Sequence, residues 1–226
     1  MALAAPPALV TPAPGDGAPL RDLLGIPYLD DAVQDGQGRW TTFRDPARLL
    51  PRPGLNCSGF VVAAARRLLG FGGTPEEAGR DRRGDSGPGA ARGRDWDYGW
   101  DLVLNLSEGR ARRWILSGGP REAPGPGADA LRGFSVHEGP AWARVQAQLR
   151  PGRVYLATFL RGEGRRLRHH HVAVVLAEGT RVWLYQTLPE GRVHRLDLAG
   201  EGLSRLRRMF GPGERLLLLE VEPPPG

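Results

Sequence analysis

The only cysteine of the chain, Cys57, stands where the sequence predicts the start of a helix. Prolines and Gly54 interrupt regular structure just before it, and residues 61–69 are rich in the helix formers Ala, Leu and Arg and are followed by Gly70. The unpaired N–H groups at a helix start, and the positive end of the helix dipole, stabilise an anion. A thiol in this position ionises readily, so the predicted chemistry is nucleophilic attack by a Cys57 thiolate. The alternative is a small buried apolar residue, as free cysteines often are.

A nucleophilic thiol needs a base, and three consecutive histidines lie downstream at positions 169–171. The apolar residues that follow them, up to Leu176, predict a β-strand. Alternation along such a strand sends His169 and His171 to one face and His170 to the other. The cluster therefore offers an imidazole base, or, in the alternative, three solvated histidines at a strand edge.

The elements that must position these residues are a helix and a set of strands. Strand-like segments separated by glycine-containing turns are predicted over residues 153–160, 169–176, 182–187, 192–198 and 215–221. Short connections between the first four predict an antiparallel meander. Between Cys57 and these strands, helices are predicted near residues 95–106 and 142–149. The first begins with Trp96, Tyr98 and Trp100, which would wall a substrate groove or pack an insertion onto the core.

Four motifs carry a resemblance to a known family. They are N-C-S-G-F-V around Cys57, H-V-A-V-V-L from His171, G-I-P-Y ending at Tyr28 and P-G-R-V-Y-L from Pro151. Each resembles a segment of the NlpC-type cysteine peptidases, a papain-like family that cleaves cell-wall peptides. The resemblance spans about residues 25–221, and its motifs are dense only around Cys57 and His171. The resemblance implies an α+β, papain-like NlpC-type fold, in which the nucleophile helix packs on an antiparallel sheet of about five strands. A large insertion, residues 72–149, falls between helix and sheet.

The resemblance also implies the roles of individual residues. Cys57 would be the nucleophile and His171 the base, because the histidine of the family directly precedes the apolar run. Gln186, on the next strand, would accept the imidazole N–H and orient the ring, with His194 as the second choice. Tyr28 and the backbone N–H of Ser58 or Cys57 would lie on the substrate or oxyanion side.

The implied reaction is amide cleavage through a thioester, by a cysteine peptidase or amidase acting on a peptidoglycan stem peptide or another amide. No metal or organic cofactor is needed. Asn56 stands where the family has aspartate before the cysteine, and Asp31 and Ala32 stand where it usually has two glycines. These departures put the local geometry in doubt more than the nucleophile.

Two other functions remain open at this point. His169, His171 and His194 could form a three-histidine zinc site of a metal hydrolase, although no matched carboxylate or H-E-x-x-H helix accompanies them. The insertion could also cover the groove, which would leave a papain-like binding module without turnover.

Composition restricts the partners. All 31 basic residues are arginine, which indicates coding bias in a GC-rich bacterial genome, so the net charge of +6 carries little functional meaning. The arginines are scattered, and nucleic-acid binding is not predicted. No run approaches the roughly 20 apolar residues of a membrane span.

The predicted organisation is one NlpC-like domain, residues 21–222, between a flexible Ala/Pro-rich tail, residues 1–20, and a short tail, residues 223–226. The start of the chain lacks the features of a signal peptide. The resemblance implies a periplasmic or secreted location, which the sequence itself does not establish.

Overall fold

A large antiparallel sheet with helices on both faces forms the body of the molecule. The computed structural model describes residues 19–82, 98–123, 133–162 and 168–225. The helices are η1 (Arg21–Leu23, a 3₁₀ helix), α1 (Cys57–Leu69), α2 (Pro75–Ala78), α3 (Tyr98–Leu106), α4 (Gly139–Gln146) and α5 (Glu201–Met209). The strands are β1 (Ala32–Gln34), β2 (Trp40–Thr42), β3 (Arg112–Ile115), β4 (Arg121–Glu122), β5 (Phe134–Ser135), β6 (Val154–Arg161), β7 (Arg168–Glu178), β8 (Arg181–Gln186), β9 (His194–Asp197) and β10 (Arg215–Val221).

The sheet is wider than the sequence predicted. In the described part of the chain it has eight strands, in the order β4-β3-β10-β6-β7-β8-β9, with β5 also paired to β10. The predicted meander is confirmed in β6 to β9. The prediction of about five strands was wrong because β3, β4 and β5 belong to residues 72–149. The insertion therefore contributes strands to the sheet itself, in addition to the helices that pack on it.

The two faces of the sheet bury separate apolar clusters. On the first face, α1 and α3 pack against side chains such as Val172 and Val174 of β7. On the second face, α4 and α5 pack against the intervening residues, such as Ala173 and Val175. Because both faces are covered, nearly every position of β6 and β7 is buried. This explains why their sequences are mostly continuous apolar runs and do not alternate between polar and apolar residues.

The start of α1 and the ends of several strands meet at one end of the sheet. Leu55 N–H, just before α1, donates to Pro27 O, and Pro27 forms a bridge with Arg192, just before β9. In the antiparallel sheet, β9 begins where β8 ends. The start of β7 and the end of β6 point the same way but extend past that level, since Tyr185 of β8 is paired with Val174 whereas β7 begins at Arg168. The far end of α1 is held elsewhere, since Arg110 donates to Leu69 O at 2.6 Å and leads into β3. We call the end at which α1 starts the site end.

Two helices were not predicted from the sequence. Helix α2 forms within the insertion because Thr74 and Glu77 make a capping box at its start. Helix α5 follows β9. Residues 1–18 of the predicted tail, residues 83–97 and 124–132 of the insertion, which include Trp96, and residue 226 lie outside the described residues. In the described ranges, no helix is both long and apolar enough to cross a membrane.

Candidate functional site

Helix α1 begins with a well-formed cap that places Cys57 as its first residue. Asn56 is the N-cap, and its Oδ1 accepts the N–H of Gly59 at 2.7 Å. The backbone of Asn56 is fixed as well, because its N–H donates to Ala32 O at 3.1 Å. Asparagine thus supplies the cap that aspartate would supply, without adding a negative charge beside the thiol. The positive end of the helix dipole is left uncompensated in the first turn, which contains no acidic residue.

Cys57 is half-buried, and the predicted substrate-side residues lie around it. Ser58 is buried, with Oγ 4.0 Å from Cys57 Sγ, so its backbone N–H is the part of this residue that faces out of the helix start. Tyr28 is half-buried on the segment that runs between Leu55 and the approach to β9, where its N–H donates to Gly191 O at 2.9 Å. The structure therefore brings Tyr28 and Ser58 to the site end with Cys57.

A β-bulge near the start of β7 determines where the histidines point. Leu160 of β6 is paired with His169 and Phe159 with His171, so His170 has no opposing residue. The extra residue breaks the period of two. The ring of His169 lies against Trp100 of α3, on the first face, while His171 packs on Phe159 and Phe210, on the second face. The prediction that His169 and His171 share a face was wrong for this reason.

His171 and Gln186 form the predicted hydrogen bond. His171 Nε2–H donates to Gln186 Oε1 at 2.9 Å, and the amide nitrogen of Gln186 lies 3.4 Å from Nε2 of His194. His194 Nδ1–H donates in turn to Arg192 O at 2.9 Å. Burial lowers the pKa of His171 to about 4, against smaller opposing effects of Gln186 and Glu214. The three side chains form a neutral, largely buried row beside α5.

This row lies on the wrong face of the sheet to serve the thiol. Cys57 packs against the apolar cluster of the first face, whereas His171 and Gln186 contact Phe210 and Met209, which belong to the second. The structure does not bring Cys57 together with His171, the base that the resemblance implied. The runner-up His194 joins the same second-face row.

His169 is the histidine whose side chain lies on the face of the sheet against which α1 packs. It is 7% exposed, and its Nδ1 lies 2.9 Å from Oγ1 of Thr158 on β6. Trp100 meets the ring edge-on, with 5.6 Å between centroids, and the backbone of Gly99 packs against it from α3. Burial lowers the pKa of His169 to about 3, so its imidazole is neutral at pH 7.

Sequence reasoning missed Thr158 and the role of His169. The bulge left no signal in the sequence, because three identical residues in a row fit either register. Thr158 could have been found from the sequence. It is a single hydroxyl residue within the apolar run of β6, the strand that precedes the histidines. The sequence predicted that Trp100 would either line a groove or pack onto the core. In the structure it packs onto the core, where its ring is stacked on that of Trp114 with 4.5 Å between centroids.

The proposed zinc ligands do not converge. His169 lies on one face of the sheet, and His171 and His194 lie on the other. Across the residues that the structure describes, no group of three or more His, Cys, Asp or Glu side chains is arranged to hold a metal ion. The three-histidine metal site considered from the sequence is therefore incompatible with this arrangement.

Comparisons with known proteins found no relative from which a function could be assigned. No family model, curated protein or solved structure matches this chain.

The second-face row should contribute stability. Gln186→Leu leaves the buried N–H of His171 without an acceptor, which should lower the free energy of unfolding by about 2 kcal/mol. Urea denaturation at pH 7.5 measures it. The control is Gln37→Leu at an exposed turn position, which should stay within about 0.5 kcal/mol of the natural protein. Equal stability of both variants would mean that the row is energetically neutral.

Proposed function

We propose that this protein is a cysteine hydrolase that cleaves amide bonds through a thioester, with Cys57 as nucleophile and His169 as base. The observation that carries the proposal is the capped start of α1, which holds a half-buried thiol on the face of the sheet to which His169 points. A cysteine at a helix start above a histidine-bearing antiparallel strand is also what the papain-like resemblance implies.

The reaction follows from these groups. The thiol proton passes to the imidazole of His169, and Cys57 Sγ attacks the amide carbonyl carbon. The developing oxyanion accepts hydrogen bonds from N–H groups at the start of α1, where the N–H of Gly59 is already taken by Asn56 and that of Ser58 faces outward. His169 then gives its proton to the leaving amine. Water, deprotonated by the same imidazole, hydrolyses the thioester.

The substrate class is the less constrained part of the proposal. The motifs around Cys57 and Tyr28 resemble those of cell-wall peptidases, so a peptidoglycan stem peptide is the substrate that we propose. A bacterial envelope location would follow from that substrate. Neither is needed for the chemistry at Cys57.

The single cysteine makes the proposal easy to test. The rate of Cys57 alkylation by iodoacetamide should show an inflection well below the free-thiol value of about 8.5. The purified protein should release new amines from peptidoglycan stem peptides, as followed by mass spectrometry. Cys57→Ala and prior alkylation of the natural protein should each lower that rate by at least about 10³-fold. The substitution removes the sulfur atom and alkylation blocks it in an otherwise natural protein. Equal loss of activity in both cases would show that the effect comes from the sulfur atom and not from a change in folding.

One observation favours a second candidate, a papain-like binding module without turnover. Helix α3 lies over His169, with Trp100 against the ring and Gly99 against the backbone and Cβ of the residue, so the base is covered on that side. A module of this kind would bind stem peptides equally well before and after alkylation and would release no amine. Its thiol would titrate near about 8.5. That combination of results would reject the hydrolase.

A further inference from the structure

Thr158 is a fully buried hydroxyl in an apolar strand, and its partner is an imidazole. Its side chain has no exposed surface, and Oγ1 lies 2.9 Å from His169 Nδ1. A buried hydroxyl in this position would be costly without a partner, so the contact with His169 is what makes threonine tolerable there.

The bulge brings these two side chains together. Thr158 is in register with Val172 of β7, and His169, on the other side of the unpaired His170, is in register with Leu160, two residues further along β6. Because the bulge sends His169 to the first face, the ring reaches the hydroxyl of the preceding strand, β6. The amide of Gln186, on the following strand, is occupied on the second face.

We propose that Thr158 is the positioning residue of the catalytic imidazole, the role that the sequence gave to Gln186. This inference rests on the proposed function. The hydroxyl oxygen accepts Nδ1–H of His169, which fixes the tautomer whose Nε2 carries the lone pair. The S–H bond of Cys57 breaks as the Nε2–H bond forms, and the electron pair stays on sulfur. No further reactant is required.

Because Thr158 is neutral, it affects how easily the His169 ring takes up a proton. Threonine holds the ring but brings no negative charge, so it stabilises imidazolium less than a carboxylate would. With burial acting in the same direction, the resting imidazole is uncharged. The negative charge that stabilises imidazolium is then the thiolate itself, which forms as the proton is transferred.

Helix α3 completes the positioning. A Cβ built on Gly99 would lie 3.0 Å from both Thr158 Oγ1 and the carbonyl oxygen of His169, so the helix backbone sits directly on the pair. Water is thereby kept from the Nδ1 side of the ring, which prevents competition for the Thr158 hydrogen bond.

The test compares Thr158→Val with Thr158→Ser. Valine has nearly the same shape and suits a strand, but it removes the acceptor. We expect kcat for stem-peptide hydrolysis to fall at least tenfold with KM nearly unchanged, and serine to restore it to within about threefold. The ¹⁵N chemical shifts of the His169 ring should report the Nδ1–H tautomer in the natural and serine proteins and a mixture of tautomers in the valine variant.

The matched control is His171→Gln beside His169→Gln, two buried histidines on the same strand. His169→Gln should lower the rate of stem-peptide hydrolysis by at least about 10²-fold, because it removes the base, and His171→Gln should lower only the melting temperature. Unchanged kcat and tautomer in Thr158→Val would overturn the role of Thr158 while leaving the hydrolase intact. Loss of hydrolysis in His171→Gln alone would do the same. Hydrolysis that survives Cys57→Ala would instead reject the proposed function, and this inference with it.

Discussion

Gly59→Ala should be among the most destabilising single substitutions in the chain. Gly59 is the third residue of α1, and a Cβ there would overlap the carbonyl oxygen of Ala32 and lie 3.0 Å from Val33 Cα. The strand cannot give way easily, because the same carbonyl accepts the N–H of Asn56. We expect a loss of at least about 3 kcal/mol in the free energy of unfolding, by overpacking against backbone.

Urea denaturation of Gly59→Ala beside Gly139→Ala isolates this effect. Gly139 is also in the first turn of a helix, α4, but a Cβ there meets nothing within 4 Å. Alanine at Gly139 should leave stability unchanged or raise it by up to about 1 kcal/mol, through better helix propensity. If both variants matched the natural protein, the close approach of α1 to β1 would be disproved. In the folded fraction of Gly59→Ala, the pH inflection of Cys57 alkylation should also return toward the free-thiol value of about 8.5.

Acid should unfold this protein well above the pH at which its carboxylates are protonated. His169 and His171, buried on opposite faces, have pKa values lowered to about 3 and about 4 from an ordinary 6.5. The unfolded chain binds these two protons as the pH falls through about 6.5, whereas the folded chain does not. The stability present above pH 6.5 is therefore lost progressively toward pH 4. At pH 5 the loss is on the order of 4 kcal/mol, a large fraction of a typical domain's stability.

Urea denaturation at a series of pH values between 8 and 5 measures this dependence. His171→Gln should be less stable than the natural protein at pH 8, because it loses its bond with Gln186, yet its stability should fall about half as steeply with pH. The double variant with His169→Gln should keep only the slope that His194 contributes, since burial lowers the pKa of His194 as well. A natural protein with the same slope as the double variant would show that these imidazoles are accessible to protons in the folded state.

The structure separates two histidine clusters that the sequence presents as one. The first-face pair, His169 and Thr158, lies on the side of the sheet that α1 and α3 cover, and the second-face row from His171 to His194 lies beside α5. His170, between them, donates to the buried carboxylate of Glu214 at 2.5 Å. One strand thus supplies three successive imidazoles to three different environments. Their effects should be separable by mutation, as the histidine variants above test.

The sequence alone determined the local elements. The helix that starts at Cys57 and the meander from β6 to β9 were predictable, because helix propensity and strand patterning act over a few neighbouring residues. The hydrogen bond between His171 and Gln186 is also present in the structure, and the expectation of it came from the family resemblance.

Only the tertiary structure decided which histidine lies on the face of the sheet that α1 covers. The bulge at His170 depends on how β7 pairs with β6, and its consequence depends on which helix covers each face. A shift of one residue moves a side chain to the other face of a sheet, and no local pattern in three consecutive histidines encodes that shift. The strands within residues 72–149 escaped prediction for the same reason: β3 and β5 are short and form by pairing with β10, far along the chain.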